Sequence, residues 1–95
     1  MNKELLDHVN TLNAKARAWM ADAPEGGYRV APIFTEEDII DIVAYHGVKT
    51  PADWDALLAW EKYYDVFRAM EDISPLWTKW SDHTAEEWEE LTAAL

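Results

Sequence analysis

The stretch TPADWDALLAWEKYYDVFRAMED, residues 50–72, decides the fold class of this chain. Thr50 is a good N-cap, Pro51 suits the first helical position and Asp53 stands at the third, so a helix is expected to begin here and to run to about Asp72. Its apolar residues occupy most of the helix circumference: Trp54, Leu57, Leu58, Trp60, Tyr63, Tyr64, Val66, Phe67 and Met70. A helix this apolar belongs at the centre of a fold, against three neighbours or against two neighbours and a partner molecule.

A second helix is predicted immediately upstream, between Thr35 and Gly47. Thr35 is its N-cap with Asp38 at the third position, and Phe34 can pack onto the first turn. Gly47 ends the helix, and Val48 is expected to fold back onto the last turn. The side chains expected to be buried are Ile39, Ile40, Ile42 and Val43.

Residues 2–22 predict a first helix, with an apolar stripe at steps of four, three, four and three formed by Leu5, Val9, Leu12, Ala16 and Trp19. The stripe is either one face of a bundle helix or the seam of a homodimer. Residues 23–34, APEGGYRVAPIF, oppose helix through their prolines and glycines. We expect this loop to lie against the core through Tyr28, Val30, Ile33 and Phe34, with a short extended piece over residues 28–31 as an open alternative.

Two further helices are expected after residue 72. Ser74 followed by Pro75 predicts a short helix over PLWTKW, residues 75–80. Thr84 and Glu87 form a capping-box pattern for the last helix, on which Trp88, Leu91 and Leu95 share a face. The sequence therefore predicts an all-α fold: a small helical bundle of four main helices plus one short helix, in a single domain over residues 1–95.

Composition excludes several classes of protein. The 95 residues include no cysteine, which rules out disulfides and thiolate chemistry. No apolar run approaches the roughly 18 residues that a membrane helix needs, so no membrane association is expected. The first ten residues, MNKELLDHVN, lack the apolar region of a signal peptide, and a cytoplasmic location is expected.

The net charge of −11 is unevenly distributed along the chain. Residues 1–34 hold four acidic and four basic residues, whereas residues 35–95 hold fifteen acidic and four basic ones. Such a field repels phosphate and attracts basic surfaces, so direct nucleic-acid binding is not expected. The second and third helices have helix-turn-helix dimensions, but the second of the pair starts with PADWD, whose carboxylates would face DNA phosphates.

Neither a catalytic nor a metal signature stands out. His83 precedes Glu86 and Glu87 at metal-chelating spacing, but a zinc site usually needs at least two His or Cys ligands. The two serines, Ser74 and Ser81, are explained by capping and a polar break. The glycines of residues 23–34 lack the spacing of a phosphate loop. We expect a non-enzymatic protein with no cofactor and no metal.

The acidic helices, above all TAEEWEEL at residues 84–91, need another explanation. Carboxylates four apart on a helix rise about 6 Å, close to two phosphate steps along a DNA strand. Glu61 with Asp65, and Glu86 with Glu90, have this spacing. A solvated acidic face is the alternative reading. The predicted partner-binding residues are Asp53, Asp55, Glu61, Asp65, Asp82, Glu86, Glu87, Trp88, Glu89 and Glu90.

In size, composition and acidic helices with Trp88, the chain resembles the small acidic proteins that phages and plasmids use against host defences, including anti-CRISPR and anti-restriction proteins. The resemblance implies a DNA-mimicking inhibitor that binds a basic surface of a host protein or nucleoprotein complex. The alternative is a small homodimeric structural or regulatory adaptor, joined through residues 2–22 and kept in solution by its acids.

Overall fold

The computed structural model describes residues 2–95, and helices account for its regular structure over that range. The elements are α1 Lys3–Ala21, α2 Glu36–His46, α3 Pro51–Glu71, a 3-10 turn at Trp80–Asp82, and α4 Ala85–Ala93. None of residues 2–95 lies in a β-strand. The predicted all-α fold, with four main helices and one short one, is confirmed.

Two compact units divide the chain. The first ends at Lys49 and contains α1 and α2, and the second is Thr50–Leu95, with α3, the 3-10 turn and α4. The prediction that residues 1–95 form a single domain stays a prediction. Within the described range, no helix is both long and apolar enough to cross a lipid bilayer.

The apolar stripe of α1 is buried mainly in its first half. Asn2 caps the helix, and its side-chain oxygen accepts hydrogen bonds from the N–H groups of Glu4 and Leu5. Leu5 and Val9 are fully buried, whereas Trp19, at the end of the predicted stripe, is 49% exposed. The predicted stripe therefore fills the core near its N-terminal end and opens to solvent near its C-terminal end.

Asn13 is a buried polar residue in α1 that the sequence analysis missed. Its side-chain amide donates from Nδ2 to the carbonyl oxygen of Phe34 at 2.8 Å, and its Oδ1 accepts from the Phe34 N–H at 3.1 Å. One side chain thus satisfies both backbone groups of one loop residue, as a neighbouring strand would. This pair of bonds ties the end of the 23–34 loop to the middle of α1.

The prediction that Tyr28 and Val30 lie against the core is wrong, since these side chains are 87% and 75% exposed. Arg29, between them, donates from Nη1 to the carbonyl oxygen of Trp19 at 3.1 Å and lies 5.1 Å from the centre of the Trp19 ring. The Arg29 side chain therefore packs on Trp19, whereas the side chains on either side of it are open to solvent. Residues 28–31 form no strand.

Helix α2 has the predicted ends. Thr35 and Asp38 exchange the two hydrogen bonds of a capping box, Gly47 adopts a left-handed φ of 71°, and Val48 behind it is buried. The burial of Ile40 was predicted wrongly, because it is 49% exposed while Ile39 is fully buried. Adjacent helical residues point about 100° apart, so a short helix with one buried stripe cannot cover both.

Helix α3 also begins as predicted and ends at Glu71, followed by the C-cap Asp72, whose φ of 57° is left-handed. Trp54, Ala56 and Leu57 near its start are buried, but Met70 near its end is 56% exposed. The predicted short helix over residues 75–80 is wrong in position, because residues 74–78 form turns and a 3-10 turn follows at Trp80–Asp82. The turns form because the carbonyl of Pro75 accepts bonds from both the N–H and the hydroxyl of Thr78.

Candidate functional site

Three of the acidic residues predicted to bind a partner lie in N-terminal caps of the unit Thr50–Leu95. Asp53 accepts the N–H of Thr50 at 3.2 Å at the start of α3, and Glu87 accepts the N–H of Thr84 at 2.9 Å at the start of α4. Asp82 accepts the N–H of Lys79 at 2.9 Å in the 3-10 turn. Helix N-termini carry partial positive charge, so carboxylates are stabilised at these positions.

These caps open on one groove, with a volume of about 430 Å³. The start of α3, the 3-10 turn and the start of α4 form its walls. Half of the ten predicted partner-binding residues line it: Asp53, Asp55, Asp82, Glu86 and Glu87. None of its described lining residues is Lys or Arg. We call this feature the acidic groove.

Among the described residues that line the acidic groove, His83 alone can carry a positive charge. Its Nδ1 lies 3.9 Å from Oε2 of Glu87, and its ring meets the Trp88 ring edge-on at 4.7 Å. The hydrogen bond from the Thr84 N–H lowers the pKa of the Glu87 carboxyl below its ordinary value, and the Thr84 hydroxyl and His83 lower it further. At neutral pH the Glu87 carboxylate is therefore ionised and fixed in place.

Two other predicted residues line a separate, smaller pocket on the middle of α3. Glu61 and Asp65 lie there beside Trp60 and Tyr64, in a volume of about 330 Å³. The two aromatic rings meet edge-on at 5.5 Å. Glu61 and Asp65 are exposed, so the predicted pair with four-residue spacing is present on the surface but outside the acidic groove.

The last three predicted residues lie on α4, where Glu89 and Glu90 are exposed and Trp88 is 1% exposed. The Trp88 ring contacts Tyr63 of α3 at 5.1 Å between ring centres. Its Nε1 donates to the carbonyl oxygen of Trp80 at 2.9 Å. Trp88 is therefore a core residue that fixes α4 against α3 and the 3-10 turn, and it offers no surface for a partner to contact.

Sequence reasoning found the acidic residues but missed their division into a groove, a pocket and an open helix face. The groove joins residues 52–56 to residues 80–87, which only the packing of α4 on α3 brings together. The predicted caps Thr50/Asp53 and Thr84/Glu87 were a usable signal, because acids at two helix starts share an environment when those starts pack together. Within residues 2–95, no group of three or more His, Cys, Asp or Glu side chains could hold a metal ion.

Comparison with known proteins adds no relative to this description. No protein-family model matches the sequence. Neither a curated protein nor a solved structure shows significant similarity to the chain.

Proposed function

We propose that this chain is a non-enzymatic inhibitor that presents the acidic surface of residues 50–95 to a basic groove of a nucleic-acid-handling host complex. The observation that carries the proposal is the convergence of Asp53, Asp55, Asp82, Glu86 and Glu87 on one groove. A basic side chain that entered this groove would meet carboxylates from three elements at once. The resemblance to small acidic phage and plasmid proteins implies that such an inhibitor would act against a bacterial defence system.

Charge distribution supports the same proposal. Residues 50–95 contain eleven acidic and three basic residues, a net charge of −8, whereas residues 1–49 carry −3. A net charge of magnitude about 2–8 is enough to keep a whole small domain in solution. The second unit alone carries that much, and its caps hold several of the carboxylates in fixed positions. Carboxylates that are already held in position lose less side-chain entropy when a charged partner binds than mobile carboxylates do.

The test reverses the charge of acidic residues that take no part in an N-terminal cap. Glu86, Glu89 and Glu90 are exposed on α4, and the variant E86K/E89K/E90K leaves Thr84 and Glu87 intact. The matched control is D22K/E25K/D41K, which makes the same charge change at exposed positions of the first unit. Tagged wild type and both variants are used for pull-downs from a nuclease-treated bacterial lysate, with and without competing double-stranded DNA.

We expect wild type and the control to retain a DNA- or RNA-handling complex that competitor DNA displaces, and the α4 variant to lose it. Retention should fall steeply with salt, because exposed charges are screened beyond about 10 Å at about 0.1 M. If the α4 variant retains the same complex as wild type, or if competitor DNA has no effect, the acidic surface does not occupy a nucleic-acid site.

A homodimeric adaptor joined through residues 2–22 is the second candidate function, and the exposure of Trp19 is the observation that favours it. Leu5 and Val9 of the same stripe are buried within the single chain, but Trp19 is 49% exposed. Sedimentation equilibrium distinguishes the two proposals. The adaptor requires a dimer in wild type that the variant W19E abolishes, whereas the inhibitor requires no dimer.

A further inference from the structure

The end of α3 and the loop after it carry the most exposed large apolar side chains of residues 50–95. Leu76 is 80% exposed and Trp77 is 65% exposed, and Met70 and Ile73 are each 56% exposed. These four residues, which we call the apolar loop patch, lie within residues 70–77. Large exposed apolar surface on a monomer often marks a binding site.

Hydrogen bonds on both sides of Leu76 and Trp77 hold this loop in place. Trp60 of α3 donates from Nε1 to the hydroxyl of Thr78 at 2.9 Å. The same hydroxyl donates to the carbonyl oxygen of Pro75 at 2.7 Å, and the Thr78 N–H donates to it at 3.0 Å. Pro75 itself is buried. Leu76 and Trp77 therefore project from a short turn that is fixed at its two ends.

The Trp77 ring is also held on one side by a contact with α3. It meets the Phe67 ring of α3 edge-on, with 5.5 Å between centres and 82° between planes. One edge of the indole is thus packed while most of the side chain stays open to solvent. An aromatic side chain that is already ordered loses little entropy on binding, and tryptophan is among the commonest residues to dominate an interface.

The charge around the apolar loop patch restricts what can cover it. Glu71 and Asp72 lie within the same stretch and are exposed, and the whole unit carries −8. A second copy of the chain would bring two such units together, and an anionic membrane surface would be repelled in the same way. A partner surface on which apolar side chains are flanked by cations would be complementary to the apolar loop patch and its neighbouring carboxylates.

We infer that the apolar loop patch binds the apolar face of an amphipathic segment of the partner protein, whose lysine and arginine residues meet the surrounding carboxylates. This inference rests on the proposed function and adds the chemical class of the partner. Asp53 and Met70 are about 25 Å apart along α3, from the helical rise of about 1.5 Å per residue. The apolar contact of the partner is therefore expected about 25 Å from the cations that enter the acidic groove.

The test uses two synthetic peptides of equal length and charge. One is an amphipathic helix of leucine and lysine, and the other replaces every leucine with serine. Each labelled peptide is titrated by fluorescence anisotropy with wild type, L76S/W77A, E86K/E89K/E90K and the control Y28A, which removes an aromatic ring that is 87% exposed on the first unit. Circular dichroism verifies the fold of each variant, and L76S alone is used if L76S/W77A unfolds, because Leu76 is 80% exposed.

We expect wild type to bind the leucine peptide about tenfold or more tightly than the serine peptide, since truncating a dominant aromatic contact usually changes affinity by at least this factor. L76S/W77A should remove that preference and leave the weak, salt-sensitive binding of the serine peptide unchanged. Y28A should change neither affinity. If L76S is used alone, a reduced preference for the leucine peptide supports the inference, and an unchanged preference overturns it.

Equal affinity for the two peptides, or an unchanged preference in L76S/W77A, would overturn the inference while salt-sensitive binding of both peptides preserves the proposed function. If neither peptide binds at low salt, both proposals fail. A wild-type dimer that L76S/W77A abolishes in sedimentation would place a second copy on the patch and also overturn the inference.

Discussion

The indole Nε1 of Trp88 donates a hydrogen bond to the carbonyl oxygen of Trp80 at 2.9 Å, and this bond links α4 to the 3-10 turn. Trp80, Glu86 and Glu87 all line the acidic groove. Trp88 therefore sets the distance between two walls of the groove without contacting a partner itself. The tryptophan among the glutamates is explained by its place in the core, and the glutamates take their positions from it.

Two replacements of Trp88, W88F and W88A, should destabilise the fold to different degrees. W88F keeps a ring but leaves the Trp80 carbonyl without this donor, which should cost about 1–3 kcal/mol. W88A also opens a cavity and should cost about 3–5 kcal/mol. Urea unfolding followed by circular dichroism measures both. W77A is the matched control, since that indole is 65% exposed and should cost about 1 kcal/mol or less. Equal losses in W88F and W77A would show that the Trp80 bond contributes nothing.

Asn13 should be needed for the stability of the first unit. N13A removes the two hydrogen bonds from Asn13 to the Phe34 backbone, and a typical intramolecular hydrogen bond contributes about 0.5–1.5 kcal/mol. N10A is the control, because Asn10 is an exposed asparagine one turn away on the same helix. We expect hydrogen exchange at the Phe34 amide to accelerate in N13A and not in N10A. Unchanged protection in N13A would mean that another group can satisfy this amide.

The local features of the fold could be predicted from sequence because they depend on residues only three or four apart. The predicted N-caps Thr35, Thr50 and Thr84 all form, and each makes a capping box with the acid three residues later, as predicted for Thr84 and Glu87. Gly47 likewise marks the end of α2 by its left-handed φ. Such contacts need no knowledge of how the helices pack.

The features that were missed depend on contacts distant in sequence. Asn13 bonds Phe34 across 21 positions, and Trp60 bonds Thr78 across 18. The second of these bonds secures the turn in which Pro75 and Thr78 replace the predicted short helix. The acidic groove is missed for the same reason, because helix periodicity identifies which residues are polar but not which helix starts meet.

Acidification should remove the stabilising effect of the Glu87 cap. Hydrogen bonding from Thr84 holds the folded-state pKa of Glu87 below its ordinary value of 4.5, so the fold favours the ionised carboxylate. Its contribution is therefore present above about pH 4.5 and is lost as the pH falls through the lower, folded-state pKa. We expect the stability advantage of wild type over E87Q to shrink as the pH falls below about 4.5, as measured by urea unfolding.

The control for this prediction is E86Q, which removes the same charge from the adjacent exposed residue without removing the Thr84 bond. A constant difference between wild type and E87Q across this range would show that the cap acts through hydrogen bonding alone and equally in both protonation states. A difference that grows on acidification would contradict the direction of the shift.

Added salt should stabilise the wild-type chain, because the carboxylates of residues 50–95 repel one another and have only three cations among them. Screening about 1 kcal/mol of this repulsion corresponds to a rise of roughly 4–8 °C in Tm for a chain of this length. We expect such a rise between about 0.01 M and about 0.5 M NaCl, measured by calorimetry.

The variant E86K/E89K/E90K should show a smaller rise in Tm. The control D22K/E25K/D41K has the same net charge as that variant but leaves the second unit at −8, so it should behave like wild type. A Tm that falls with salt would mean that the capping and helix-dipole interactions of these acids outweigh their repulsion, and that the folded chain tolerates its acidic surface without any partner.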